Sequence, residues 1–292
     1  MKQVFFICLL LISFWGEAQQ VVLGEINQLI TTKEYAHAEK LLVENLKTFT
    51  SKELKNKLGE VYALQEKWDD AVTIYKELTE EYPKEAEYHF RYGGVLVKKA
   101  QYSNKFRALM LLGKIKSSFI KASQLDKNHI ATRWALVEMY VSLPGIVGGS
   151  KTKAYYHANE LRKVSAMDGY LTLGYVYEYD NAPEKAKESY IRALGYLDDL
   201  KEIERNQLNY QIGKVCGDYG LQLEKGIVHM QQYIDDFLVI DGVPLEWAYY
   251  RMARLHRKSK NKQLADKWIR KALQNRPQFK RALKEQQLIK TL

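Results

Sequence analysis

The feature that most constrains this chain is an internal repeat of 34 residues, clearest over residues 52–85. Small residues stand at repeat positions 8 and 20, larger residues surround them, and proline ends the unit. Two small residues at fixed positions let paired helices approach, so the spacing predicts antiparallel helix pairs. Three copies carry the pattern: Leu58, Gly59, Tyr62, Ala71, Tyr75, Leu78 and Pro83; Leu173, Gly174, Tyr177, Ala186, Tyr190 and Ala193; Met252, Ala253, His256, Ala265, Ile269, Ala272 and Pro277.

This spacing resembles that of the tetratricopeptide-repeat family. The resemblance implies an all-α fold, a right-handed superhelical solenoid of about seven antiparallel helix pairs. We expect a capping helix over 280–292, because the last repeat would otherwise expose its apolar side. Surplus residues around 101–112 and the segment 143–150 lengthen the third and fourth units. The predicted repeats are 19–51, 52–85, 86–129, 130–166, 167–200, 206–240 and 246–279.

The N-terminus predicts export. Lys2 precedes an apolar run over residues 4–15, and small residues lead up to Ala18, the arrangement of a signal peptide over residues 1–18. The run is shorter than the roughly 20 apolar residues that a spanning helix needs. We therefore predict a protein of the periplasm or cell envelope that does not span the membrane after cleavage. Cys216 then remains as a lone thiol, at a repeat position that faces the core.

Charge is unevenly distributed along the chain. Residues 245–292 contain 14 Lys/Arg and 3 Asp/Glu, which leaves 31 and 32 for residues 1–244. The basic C-terminal repeat favours contact with an anionic surface or acidic partner at that end. Nucleic acid is not an expected partner, since the chain is predicted to be exported.

No catalytic constellation emerges from the motifs, and we predict neither an enzyme nor a cofactor. The segment 145–152 approaches a phosphate-binding loop, but Ser150 replaces its second glycine, and helical rather than strand spacing precedes it. Ser150 is instead placed to cap the next helix, so Gly148, Gly149 and Ser150 form a candidate anion-binding turn, with a plain glycine-rich turn as the alternative. The histidines show no metal-ligand spacing.

The predicted binding site is a concave groove formed by the first helix of each repeat. The family's ligand positions carry recurrent aromatic residues, with carboxylates in the middle and cations at the C-terminal end. Such a face suits a peptide or protein segment. The alternative for each ring is packing against the neighbouring repeat. The candidate residues are Phe90, Trp134, Glu138, Tyr175, Glu178, Tyr179, Tyr210, Lys214, Trp247, Tyr250 and Arg254.

A second function remains open from the sequence. The segment Pro144 to Gly149 resembles a P-G-x-x-G-G motif in tetratricopeptide-repeat proteins that accompany certain tripartite solute transporters. That likeness, together with the tyrosine-rich interior, implies a small-molecule binder associated with a transport system.

Overall fold

The computed structural model describes residues 20–48, 50–200, 203 and 205–292, and every regular element within them is helical. The predicted signal peptide, residues 1–18, lies outside the described residues. The all-α fold is confirmed. The helices are α1 (20–31), α2 (Tyr35–Leu46), α3 (Lys52–Leu64), α4 (Trp68–Glu81), α5 (Ala86–Gln101), α6 (Lys105–Leu125), α7 (Ile130–Ser142), α8 (Lys151–Val164), α9 (Ala166–Tyr179), α10 (Pro183–Leu194), α11 (Asn206–Tyr219), α12 (Leu223–Asp235), α13 (Leu245–Lys258), α14 (Lys262–Asn275) and α15 (Lys280–Lys290).

Five of the helix pairs turn at one repeat position. The residue at position 15 of the unit has a positive φ in each of them. The next amide donates to the carbonyl at position 11, as Lys67 does to Tyr62 at 2.9 Å and Ala182 does to Tyr177 at 3.0 Å. This closure satisfies an end carbonyl of the first helix while the left-handed residue reverses the chain. The position-15 residues are Lys33, Glu66, Asn181, Gly220 and Lys260.

Close contact within a pair depends on the small residue at position 8. A Cβ added to Gly59 would lie 2.8 Å from the Tyr75 ring, and one added to Gly174 would lie 2.3 Å from the Tyr190 ring. Both tyrosines are almost fully buried. The packing reason inferred from the sequence is confirmed at these two positions.

The third pair differs from the others in the length of its second helix. The surplus residues extend α6 to 21 residues, whereas α4 has 14. Ile115, Phe119 and Ala122, in the C-terminal half of α6, are buried where it packs on α5. The stretch 105–110 at the other end is largely exposed.

The contacts divide the chain into two compact units, one ending at Leu125 and one beginning at Asp126. In the second unit, α15 packs on α13 and α14 and buries Ala282 and Ile289, where the sequence predicts a cap. The repeat boundaries themselves remain predictions. None of the described helices has both the length and the apolar character needed to cross a membrane.

Candidate functional site

The first helices α7, α9 and α11 of the second unit bring five of the predicted site residues together. The Lys214 ammonium lies 3.4 Å from the Glu178 carboxylate and 5.1 Å from the centre of the Tyr175 ring. The Tyr175 and Tyr179 rings meet edge to face at 5.1 Å. Glu138, on α7, acts electrostatically on both Lys214 and Tyr175. We call these five residues the Glu138 surface.

Glu138 combines solvent exposure with a protein-rich environment. Its side chain is exposed, and no described residue donates a hydrogen bond to its carboxylate. Surrounding protein atoms nevertheless desolvate it enough to raise its pKa above the ordinary value, against the opposing charge of Lys214. The carboxylate therefore keeps a face toward water although neighbouring protein atoms surround it. Glu138 is therefore positioned to accept a hydrogen bond from a bound molecule.

Tyr175, beside Glu138, remains protonated. Desolvation raises the pKa of Tyr175, and the hydrogen bond to Tyr179 and the charge of Glu138 add to the rise. Tyr179 is 46% exposed, so its ring offers apolar area and its hydroxyl a polar contact. Tyr219, which was not predicted, donates from its hydroxyl to Glu178 at 3.0 Å. Its position at the end of α11 falls outside the family's ligand positions, which is why the pattern missed it.

Trp134 lies one helical turn before Glu138 but belongs to the core. Its indole N–H donates to Asp168 at 2.6 Å. The same carboxylate accepts from Arg205 at 2.6 Å and from the Ser165 hydroxyl at 2.7 Å. Both Trp134 and Asp168 are buried. The structure thus places Trp134 in a polar contact joining α7, α9 and the start of α11, where a ligand does not reach it.

Two more predicted rings are also core residues. Tyr210 packs on Tyr233 at 5.2 Å, and Tyr250 packs on Phe279 at 5.5 Å. Both rings are buried. Each of these contacts lies within one predicted repeat, so the two rings belong to the core rather than to an open groove.

The last two predicted rings are partly exposed. Trp247 is half-buried between Phe279 and the Arg281 guanidinium. Phe90 is likewise half-buried, lies in the first unit and packs on Phe119 at 6.0 Å.

Four cations on α13, at the C-terminal end of the predicted groove, have partners within the protein. Asp218, on α11, pairs with Arg251 and, at 3.4 Å, with Arg254. The Asp218 carbonyl accepts from Lys258 at 2.9 Å, and Arg257 pairs with the buried Glu285 of α15. Arg254 also donates to the Tyr250 hydroxyl at 2.9 Å. These cations join α11, α13 and α15, so a ligand would have to compete with internal carboxylates for them.

The glycine-rich turn uses its own amides. Gly148, Gly149 and Ser150 donate to the carbonyls of Gly145, Pro144 and Tyr140 at 3.0, 3.1 and 2.9 Å. None of these three N–H groups is left for an anion, which corrects the anion-binding turn. The Ser150 hydroxyl accepts from the Lys153 amide, so the predicted helix cap is confirmed.

The remaining chemistry-bearing residues form no reactive site in the described part of the chain. No group of three or more His, Cys, Asp or Glu side chains there is arranged to hold a metal. Cys216 is fully buried, as predicted, and burial raises its pKa to about 12. A thiol in that state is a poor nucleophile.

Comparisons with known proteins identify the repeat. The tetratricopeptide-repeat model matches residues 57–85 and residues 248–279. A tetratricopeptide repeat protein from Parabacteroides merdae aligns with a TM-score of 0.56 at 10% identity, over 92% of this chain and 98% of that one. The human IFIT1 dimer solved with PPP-AAAA aligns with a TM-score of 0.51 at 15% identity, over 89% and 53%. A search of curated proteins found no significant match.

The chain is a tetratricopeptide-repeat protein. Both matched segments fall within copies of the repeat that the spacing identifies. Tetratricopeptide-repeat proteins are generally non-catalytic scaffolds that bind protein partners or peptides, and their fold alone does not specify which. In this tetratricopeptide-repeat protein, the Glu138 surface is the group of predicted binding residues that the structure brings together.

Proposed function

We propose that this protein is a non-catalytic scaffold of the bacterial cell envelope that holds a peptide or protein segment on the Glu138 surface. The observation that carries the proposal is the Glu138 carboxylate, which is exposed, accepts no hydrogen bond from the described residues and is enclosed enough to raise its pKa. Such a carboxylate is desolvated at a cost that a bound hydrogen-bond donor offsets.

The neighbouring side chains define what the bound segment carries. The exposed Tyr179 ring and the half-buried Tyr175 ring offer area for an apolar or aliphatic side chain. Lys214 already forms an ion pair with Glu178. Glu138 therefore carries the unpaired charge of the surface, and this charge is negative. A segment with a Lys or Arg side chain beside an apolar residue suits this arrangement, because the cation meets Glu138 while the aliphatic part covers the rings.

Photo-crosslinking in the native envelope tests the proposal. A benzoylphenylalanine introduced at Tyr179 should capture a protein segment, and the same group at Tyr156, an exposed tyrosine on α8, should not capture that segment. A synthetic peptide of the captured segment should then bind the full chain, with about tenfold weaker affinity for Glu138→Gln, since a charge-assisted hydrogen bond contributes roughly 1.5 kcal/mol or more.

Three outcomes would count against a peptide scaffold. One is equal capture from Tyr156 and Tyr179, and another is peptide affinity that does not change in Glu138→Gln. The third is a stoichiometric metabolite that co-purifies with the chain in native mass spectrometry and is lost in the Glu138 variant, which favours the solute-binding alternative.

The envelope location rests on the predicted signal peptide and needs its own test. N-terminal sequencing of the protein recovered from a periplasmic or envelope fraction should begin at residue 19. Recovery of uncleaved chain from the cytoplasm would reject export while leaving the binding proposal intact.

A further inference from the structure

The N-terminal half of α6 carries an exposed apolar strip that the packing of the repeats does not bury. Phe106, Leu109 and Met110 are 72%, 53% and 68% exposed, and Tyr102 just before the helix is 64% exposed. Phe106, Leu109 and Met110 recur at the spacing of one helical face. The buried residues of the same helix, Ile115, Phe119 and Ala122, lie on the opposite face. The strip therefore points away from the core of the first unit.

Basic residues accompany this strip on both sides. At about 100° per residue, Lys105 and Lys116 fall along one side of the strip, and Arg107 and Lys114 fall along the other. No described carboxylate pairs with Lys105, Arg107 or Lys114. From residue 98 to residue 121 the chain has seven Lys or Arg and no Asp or Glu. Its net charge of +7 over 24 residues is close to that of the C-terminal repeat, where residues 251–274 have nine Lys or Arg and one Asp.

A cavity beside the strip is also lined by apolar and cationic side chains. A cavity of 450 Å³ opens beside the strip, lined by Trp68, Tyr102, Arg107 and Met110 among others. Trp68 stacks on Tyr102 at 5.8 Å and so supports the base of the strip. Aromatic, aliphatic and cationic groups thus occur together beside the strip, where the one acidic lining residue, Asp69, pairs with Lys99.

We propose that the N-terminal half of α6 docks on the surface of an anionic lipid bilayer. The apolar strip enters the boundary between headgroups and acyl chains, while the cations on both sides contact lipid phosphates. A bilayer supplies negative charge along both edges of an inserted strip at once. A protein partner would need an acidic groove shaped around a protruding helix. This docking surface is separate from the Glu138 surface and does not depend on it.

Vesicle flotation of the full chain tests the proposal. At low salt the protein should float with vesicles of phosphatidylglycerol and phosphatidylcholine, and should remain at the bottom with phosphatidylcholine alone. The double variant Phe106→Ser with Met110→Ser should bind about tenfold less, because two large side chains lose their apolar contact. Val228→Ser, at a similarly exposed position of α12, is the matched control and should bind like the wild type.

Insertion is distinguished from simple charge attraction by fluorescence. Emission from Phe106→Trp should be quenched by brominated acyl chains, whereas Val228→Trp should give only the background of the native tryptophans. Every variant keeps the same N-terminus, so any effect of the apolar run over 4–15 is common to all of them. A Lys267→Glu and Lys271→Glu variant measures the contribution of the basic C-terminal repeat.

The proposal is overturned by several clear results. Flotation that is absent at low salt, or that survives loss of Phe106 and Met110, removes the strip as the docking element. Loss of binding only in the Lys267 and Lys271 variant assigns the attraction to α14. A Trp at position 106 that is not quenched in vesicle-bound protein excludes insertion and leaves a protein partner as the occupant of the strip.

Discussion

Two carboxylates on neighbouring first helices of the second unit contrast sharply. Asp168 is buried and accepts from Trp134, Arg205 and Ser165, so its charge is fully compensated. Glu138 is exposed and accepts no hydrogen bond from the described residues, although protein atoms raise its pKa. Both carboxylates have aromatic and cationic neighbours. The kinds of neighbouring side chain therefore do not distinguish a structural contact from a binding surface. What distinguishes them is whether the next helix covers the carboxylate.

Removal of the buried carboxylate should have the largest effect. Asp168→Ala leaves the indole N–H of Trp134 and the Arg205 guanidinium without their acceptor, so we expect a loss of about 3 kcal/mol in the free energy of unfolding. Urea unfolding followed by far-UV circular dichroism measures it. Asp198→Ala is the control, since Asp198 is exposed and its pair with Lys225 should contribute below about 1 kcal/mol. Equal losses in the two variants would show that Asp168 is not structurally special.

The thiol of Cys216 should report whether that loss is local to α11. The buried, protonated thiol reacts slowly in the wild type, because burial raises its pKa to about 12. Asp168→Ala releases Arg205 at the start of α11, so labelling by a thiol reagent at neutral pH should speed up at least about tenfold. Glu138→Gln should leave the labelling rate unchanged. Fast labelling of the wild type would show that Cys216 is accessible in the native protein.

Lys214 should show an intermediate effect, because it belongs to the exposed surface but is itself mostly buried. Lys214→Ala removes the ion pair with Glu178 and the contact over Tyr175, for an expected loss of about 1 kcal/mol in unfolding free energy. Lys225→Ala is the matched control on α12, with an exposed partner. A loss as large as that of Asp168→Ala would make the Glu138 surface a structural contact rather than a binding one.

Glu138→Gln should have the smallest effect on stability. Surface substitutions usually change it by less than about 0.5 kcal/mol, and the sign here depends on pH. Because the folded pKa of Glu138 lies above the ordinary 4.5, the wild type loses stability relative to Glu138→Gln as pH rises through that interval, and the two converge in acid below it. Thermal unfolding on both sides of the interval measures this. A wild type that is more stable than the variant at neutral pH would contradict the environment described for Glu138.

The fold could be predicted because spacing and packing share one cause. Gly59 beside Tyr75 and Gly174 beside Tyr190 are sequence signals and steric contacts at the same time. The binding site could be predicted less well from the sequence. Trp134 and Glu138 both stand at ligand positions of the family, yet Trp134 donates to Asp168 of α9 in the core while Glu138 remains exposed. Periodicity identifies a helix face, but it does not show whether a neighbouring residue covers that face.

The cluster of cations around the start of α6 was not predicted, for a related reason. Summing over residues 1–244 gives near neutrality, which hides the seven cations between residues 98 and 121. The long α6 places four of them, Lys105, Arg107, Lys114 and Lys116, along the two sides of one apolar strip. Helix length within an insertion does not follow from the repeat spacing.

The turn at repeat position 15 has a consequence for how such a chain acquires new parts. Five pairs have the same hydrogen bond and the same positive-φ position in the turn between their helices, so a few local residues determine the geometry of each turn. The two pairs without a positive-φ residue at that position, α5 with α6 and α7 with α8, carry the long insertions, whereas α11 with α12 keeps the positive-φ Gly220 and adds one residue to its turn. Where this turn is absent, the connection between the two helices, or the second helix itself, can vary in length without a change in the neighbouring repeats. Those two places are where loops or helices from other proteins could be grafted while the rest of the scaffold stays intact.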